Sequence, residues 1–335
     1  MSTRLTVAAL VALLALTAAG CGSGSDDPQS GDAAPPANAA DFPSPKGKTM
    51  MQIKRSLSPG PVLAPTVAQL VPGKERYGFA LFTTARKQIS GVPVVLYIQE
   101  SGKTNLMGPF PARDMSLEVA PAYQSETVAK DSDAAQSLYV SHPKFPKPGT
   151  YAVMAVAKLD GRLVATDPIG ARVLAHDPVP GVGDKAPVID TPTVDSAGGD
   201  VRSIDTRTPP STMHDVSFKD VAGKKPALLL FATPALCQSR VCGPVVDIAE
   251  EVKAEDKPDM AFIQMEIYRD NTIKPGCLEG TRPESECLRP QVLAYKLQTE
   301  PWAFAIDRHG KVAARLEGAY SRSELEAAIA AAEKP

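Results

Sequence analysis

Apolar residues follow three regimes along this chain. Residues 5–19 form one uncharged apolar run after a single cation, Arg4. At about 15 residues it is short for a membrane-spanning helix and has the length of a signal-peptide core. From about 46 to 180 the apolar stretches are short, β-branched or aromatic, and bounded by Pro or Gly, as at 77–82, 94–98, 137–140 and 151–156. These read as strands. Asp160-Gly161, set between apolar residues, is a two-residue hairpin signal.

The third regime begins after Gly183, where strand-like and helix-like patterns alternate. Residues 227–231 are all apolar and fit a buried strand. Val241, Val245, Ile248, Ala249 and Val252 then recur at helical spacing, with Asp247, Glu250 and Glu251 on the other face. A second strand is expected over 261–267, so a βαβ crossover follows. A helix over 290–297, strands at 302–307 and 312–316, and a closing helix complete the series. Ser321 and Glu324 form the capping box that opens that last helix.

Composition narrows the function class. A length of 335 residues leaves room for two domains of roughly 150 residues each. Proline, at 32 residues, is nearly twice its usual ~5 % and favours turns and strands over long helices. Hydrophobic residues at 43 % and charged residues at 22 % exclude a disordered chain. A net charge of −2 leaves no basic surplus for a nucleic acid to grip. The single long apolar run excludes a multi-span membrane protein.

Thr17-Ala18-Ala19-Gly20-Cys21, followed by Gly, Ser and Asp, resembles a bacterial lipobox. Alanine stands at 18 where a leucine is usual. The resemblance implies that residues 1–21 are a lipoprotein signal peptide and lipobox, with Cys21 left as the lipidated N-terminus. Residues 22–45 have little to bury and read as a tether. Four cysteines remain, Cys237, Cys242, Cys277 and Cys287, an even number in an exported chain. They read as two disulfides. Three pairings are possible, and proximity favours Cys237–Cys242 and Cys277–Cys287.

The stretch 46–180 suggests a β-sandwich. Pro148-Gly149-Thr150-Tyr151 resembles the entry to a late strand of immunoglobulin-like extracytoplasmic modules, although no Cys…Trp…Cys pattern is present. His142 and His176 have no neighbouring ligands and read as solvated. The Pro/Gly-rich stretch 179–187 is the boundary before a second domain at 183–335.

The element order of 183–335 resembles the thioredoxin fold. Val182-Gly183-Asp184-Lys185-Ala186-Pro187 looks like the opening of membrane-anchored thioredoxin-like and redoxin proteins. Cys242-Gly243-Pro244 looks like the active-site turn running into its helix. In that resemblance Pro301 holds the cis-proline position, which packs on the active-site disulfide and helps bind substrate. Where thioredoxin has its second cysteine this chain has Val245, so the partner of Cys242 is Cys237, a Cys-x4-Cys pair. Within one ideal helix their α-carbons would be roughly 8–9 Å apart, beyond the ~7 Å limit of a disulfide. Cys237 must therefore precede the helix or the first turn must unwind. The helix terminus stabilises a thiolate, and Arg240 adds a nearby cation. Either sulfur can attack: Cys242 matches the thioredoxin nucleophile by register, whereas Cys237 lies nearer the loop tip. We assign attack to Cys237 and resolution to Cys242.

The expectation is an immunoglobulin-like sandwich followed by a thioredoxin-like domain. The protein would be held at the outer face of the cytoplasmic membrane by its lipid, or secreted if not lipidated. It would exchange thiols and disulfides with envelope or secreted proteins, with no cofactor, no metal and no nucleic acid. Cys277 and Cys287, in a polar insertion, read as a structural clip. Three alternatives stand beside this. A peroxidase fits poorly, because neither cysteine has the Pro-x3-Thr-x2-Cys register. Copper handling of the Sco type would need a histidine, with His214 and His309 as candidates. A binding protein with a permanently closed disulfide is the non-enzymatic reading.

Overall fold

The computed structural model describes residues 35–255 and 259–334. Cys21, the signal segment and the first part of the 22–45 stretch lie outside them. The N-terminal lobe is built from β1 (Val62–Pro65), β2 (Tyr77–Phe82), β3 (Val94–Glu100), β4 (Leu106–Ser116), β5 (Ser137–Ser141), β6 (Gly149–Leu159), β7 (Arg162–Ala165) and β8 (Ile169–Val173). They follow the order β7-β6-β3-β4-β5-β2-β1, with β8 also paired to β6, and every one of these pairs is antiparallel. β4 pairs with β3 through its first half and with β5 through its second. The sheet thereby folds over itself, and its halves enclose Phe79, Leu81, Leu96, Ile98, Tyr151 and Val153. Asp160 and Gly161 take φ of 48° and 77° and turn β6 into β7 with Leu159 opposite Arg162. That is the primed turn expected of Asp-Gly.

The outer face of β3 and β6 carries Val95, Tyr97, Met154 and Val156, which also need cover. Ala37, Phe42 and the helix α1 (Met50–Arg55) supply it. The described part of the segment read as a tether, residues 35–45, is thus packed down. Phe42 is buried, and the Tyr97 hydroxyl donates to the Pro43 carbonyl at 2.5 Å. A Gly/Pro/Ala-rich composition concealed two apolar contacts that close a sheet face.

The lobe beginning near residue 183 contains α3 (Phe218–Val221), β9 (Ala227–Phe231), α4 (Cys242–Lys253), β10 (Ala261–Met265), α5 (Glu284–Cys287), α6 (Pro290–Ala294), β11 (Trp302–Ile306), β12 (Val312–Glu317) and α7 (Arg322–Ala332), with α2 (Glu126–Lys130) reaching it from the first lobe. Its sheet runs β10-β9-β11-β12, with β9 and β10 parallel and the other pairs antiparallel. Leu228 and Leu230 face α4 and α7, while Leu229 and Phe231 face the side of α3 and α6. That two-sided burial is why residues 227–231 are apolar without alternation. The helix expected over 290–297 stops at Ala294, and Lys296 takes a left-handed φ of 56°. Ser321 and Glu324 make both reciprocal bonds of the capping box.

The lobes share a core. Met115, Leu138 and Val140 of the first lobe belong to the same apolar cluster as Val246, Ile248 and Leu325 of α4 and α7. Arg76 forks onto Glu324 at 2.7 and 2.9 Å and also donates to the carbonyls of Glu317 and Ala319.

Asp247, Glu250 and Glu251 lie on the face of α4 opposite its apolar stripe, as the spacing predicts, and all three are buried. Residues 120–125 and 205–212 cover that face, and the carboxylates accept from Ser125, Thr212 and Ala120 backbone N–H groups.

Candidate functional site

β9 runs into Thr233-Pro234, a turn over 234–241, and then α4. Arg240 takes φ 57° in that turn, and the Arg240 N–H donates to the Cys237 carbonyl at 3.3 Å. Cys237 therefore precedes the helix and Cys242 is its first residue. Their α-carbons are 6.0 Å apart, and the two sulfurs are joined. This satisfies the distance limit by the first of the two routes foreseen, a non-helical Cys237.

No side chain caps the first turn of α4, since Val241 has none to offer. Its free N–H groups and the helix dipole face the sulfurs. Cys242 is fully buried, while Cys237 is half-buried with Sγ 3.3 Å from the Ser239 hydroxyl.

The cation expected from Arg240 is otherwise engaged. Its guanidinium donates to Asp131 at 2.6 Å and Asp133 at 3.1 Å, both from the first lobe. Those carboxylates cancel much of its field at the thiol.

Pro301 is buried, and the Glu300–Pro301 bond is cis. Glu300 brings a carboxyl oxygen 3.9 Å from Cys242 Sγ. Its other oxygen accepts from the Tyr268 hydroxyl at 3.2 Å. Burial pushes the Glu300 carboxyl up to about 8, with nearby Glu266 adding to the shift against the Tyr268 hydrogen bond. Glu266 lies one layer deeper. It accepts from Thr206 N–H at 2.8 Å and from the Thr233 hydroxyl, and burial holds it up at about 7.

Two clefts of about 450 Å³ each flank the turn. One is lined by Val128, Lys130 and Asp131 together with Cys237 and Arg240. The other lies between Pro65–Ala68 of the first lobe and Val241, Tyr268 and Glu300 of the second.

The remaining candidates stand apart from the pair. Cys277 and Cys287 are bonded across the insertion between β10 and α6. His214 is buried, with Nε2 3.0 Å from Asp205 Oδ2, and does not join the cysteines; His309, His142 and His176 are exposed. The Thr233 hydroxyl is spent on Glu266.

Sequence reading gave Glu300, Tyr268 and Glu266 no role. A signal existed for Glu266: Gln264 and Glu266 are polar residues two apart in an otherwise apolar strand run, hence on one face.

The sheet order β10-β9-β11-β12, a cysteine pair at the start of the helix after β9, and a cis-proline before β11 define a thioredoxin-like fold for the second lobe. No protein-family model matches the chain, and no curated protein matches it. Among solved structures it is similar to one described as a thiol:disulfide interchange protein DsbE from Chlorobium tepidum. That pair shares 20 % identity over 46 % of this chain and 98 % of the other, at a TM-score of 0.30. A thioredoxin-like superfamily protein matches at 21 % identity over 35 % of this chain and 85 % of its own, at 0.28. The fold class stands on strand order and cysteine position, independently of these superpositions.

Proposed function

We propose that this chain is an envelope-anchored thiol–disulfide exchange protein working through Cys237 and Cys242. Cys21 carries the lipid, and the first lobe is an immunoglobulin-like module joined to the redox lobe. The observation that carries the reading is the asymmetry of the pair: Cys237 is half-buried and lines one of the two clefts, whereas Cys242 is fully buried. The more open residue suits attack, and the sealed one suits resolution.

In the reducing direction, the Cys237 thiolate attacks a substrate disulfide, forms a mixed disulfide and releases one substrate thiolate. The Cys242 thiolate then attacks Cys237 Sγ, closing the internal bond and releasing the second substrate thiolate. Two electrons pass from protein to substrate, and the reverse sequence oxidises a dithiol. Pro301, next to the Glu300 whose carboxyl lies beside Cys242, is the residue this reading assigns to substrate contact.

The test is the reduction potential of Cys237–Cys242, read by thiol trapping in glutathione and dithiothreitol buffers. The protein would carry Cys21→Ser, Cys277→Ser and Cys287→Ser. A value between about −120 and −270 mV is expected, the range of working oxidoreductases. A value below about −300 mV would mean a permanent staple and a binding protein.

A further inference from the structure

The sulfurs of Cys237 and Cys242 and one carboxyl oxygen of Glu300 all lie within 4.8 Å of one another. They come from three places: the turn before α4, the first residue of α4, and the residue preceding Pro301. Glu300 is oriented for this. Tyr268 holds Oε1, which leaves Oε2 facing Cys242 Sγ at 3.9 Å. Among the described residues no lysine, arginine or histidine forms an ion pair with this sunken carboxyl.

We propose that the reduced form of Cys237, Cys242 and Glu300 is a zinc-binding site with an open fourth position. The inference rests on the exchange reading in one respect, that the Cys237–Cys242 bond can be reduced. Two thiolates and a carboxylate are a donor set for zinc, whereas the carboxylate oxygen is a poor partner for Cu(I). Zn–S of about 2.3 Å and Zn–O of about 2.0 Å at tetrahedral angles put sulfur and oxygen about 3.5 Å apart. Cys242 and Glu300 are 3.9 Å apart in the structure and need move only a few tenths of an ångström, while the two sulfurs, bonded in the oxidised form, part to about 3.8 Å once reduced.

Charge also balances. The three anionic ligands carry −3, a divalent ion leaves −1, and the uncapped first turn of α4 faces what remains. The redox step needs an external thiol: the disulfide takes two electrons and two protons from two RSH, giving two cysteine thiols and RSSR. Zinc then displaces both thiol protons, and the Glu300 proton where one is held. The ion binds the dithiol form alone and therefore shields it from reoxidation.

The test uses the full chain with Cys21→Ser, Cys277→Ser and Cys287→Ser, reduced and held without oxygen, with thiols counted before titration. Cobalt(II) is added first and then displaced by zinc. The expected result is one equivalent of cobalt with a sulfur-to-cobalt absorption band, absent from the oxidised protein. Cys237→Ser/Cys242→Ser abolishes the band, and Glu300→Gln weakens zinc at least tenfold. A second readout needs no substitution at the site. Zinc should raise the midpoint potential by about 30 mV for each tenfold excess over its dissociation constant.

Full reduction with no band, a band that survives in the double serine variant, or a midpoint unmoved by zinc overturns the proposal and leaves the exchange reading intact. A thiol count that never rises under strong reductant overturns both.

Discussion

Asp247 is where the two lobes and the active-site helix meet, and its removal is the sharpest test of how the site is held. The carboxylate is 1 % exposed, accepts from Arg207 Nε at 2.8 Å, and accepts from both the backbone N–H and the hydroxyl of Ser125. Arg207, itself 5 % exposed, also donates to the carbonyls of Tyr123 and Pro209. Burial pushes Asp247 upward, while Ser125 and Arg207 pull it back towards the charged form.

Asp247→Ala would leave a buried guanidinium without its counter-charge and two donors of Ser125 without an acceptor. Truncating one partner of a buried pair costs about 3–5 kcal/mol. Two carbonyls stay on Arg207, so the lower end, ~3 kcal/mol, is expected in urea unfolding at pH 7. Removing the whole pair, as Arg207→Met with Asp247→Leu, should cost less than either single change, because no charge is then stranded. Alkylation of reduced Cys237 should also quicken in Asp247→Ala, because residues 120–130 lose the Ser125 tie to α4 and keep only that of Ala120 to Glu251 among their hydrogen bonds to the helix. A loss below about 1 kcal/mol for Asp247→Ala, or a double variant as unstable as the sum of the singles, would refute the reasoning.

Replacing Cys277 and Cys287 by serine should lower stability by roughly 2–3 kcal/mol, the chain-entropy value for so short a loop, and leave the Cys237–Cys242 potential where it was. Chemical unfolding and thiol trapping on one preparation check both halves. Glu266 is held up at about 7 in the fold against an ordinary 4.5, so the proton it keeps favours the folded state at low pH. That stability is complete below pH ~4.5 and is lost as pH rises through about 7, up to ~3 kcal/mol in all. Glu266→Gln should flatten the stability–pH curve across that window, since an amide can accept from Thr206 and donate to the Thr233 hydroxyl; a curve of unchanged slope would count against it. Gly318→Ala should cost more than about 2 kcal/mol in thermal or urea unfolding, because Gly318 has φ 72° and a Cβ there would lie 2.0 Å from the Thr66 carbonyl oxygen. A cost below about 1 kcal/mol would mean that the lobes give way easily at this contact.

The parts of this architecture that could be read in advance are those encoded locally. Asp160-Gly161 set its own hairpin, Ser321 and Glu324 capped their own helix, and the unbroken apolar run 227–231 announced a strand buried on both faces. The pairing of Cys237 with Cys242 was legible because the motif around them fixes neighbours in sequence. What escaped depends on partners far along the chain. Tyr268 meets Glu300 across 32 positions, and Arg240 meets Asp131 across 109. Periodicity identified the polar face of α4 correctly, yet it carries no information on what covers that face. Residues 35–45 failed for the converse reason: their composition is that of a linker, and two apolar side chains sufficed to dock them.

Those distant contacts change the standing of the first lobe. A spacer would meet the thioredoxin-like lobe at few points, with its own core closed. Here Met115, Leu138 and Val140 pack into the core that also holds α4, Arg76 is forked onto Glu324, and Glu317 accepts from the N–H groups of Ala68 and Gln69. Cutting the chain near 183 would strip Asp247 and Glu251 of acceptor-matched donors at Ser125 and Ala120 and open an apolar face beside α4. The same cut would remove Pro65–Ala68 from one cleft beside the cysteines and Val128, Lys130 and Asp131 from the other. Both clefts beside the Cys237–Cys242 turn therefore have walls drawn from both lobes, and a partner docking in either would touch the β lobe.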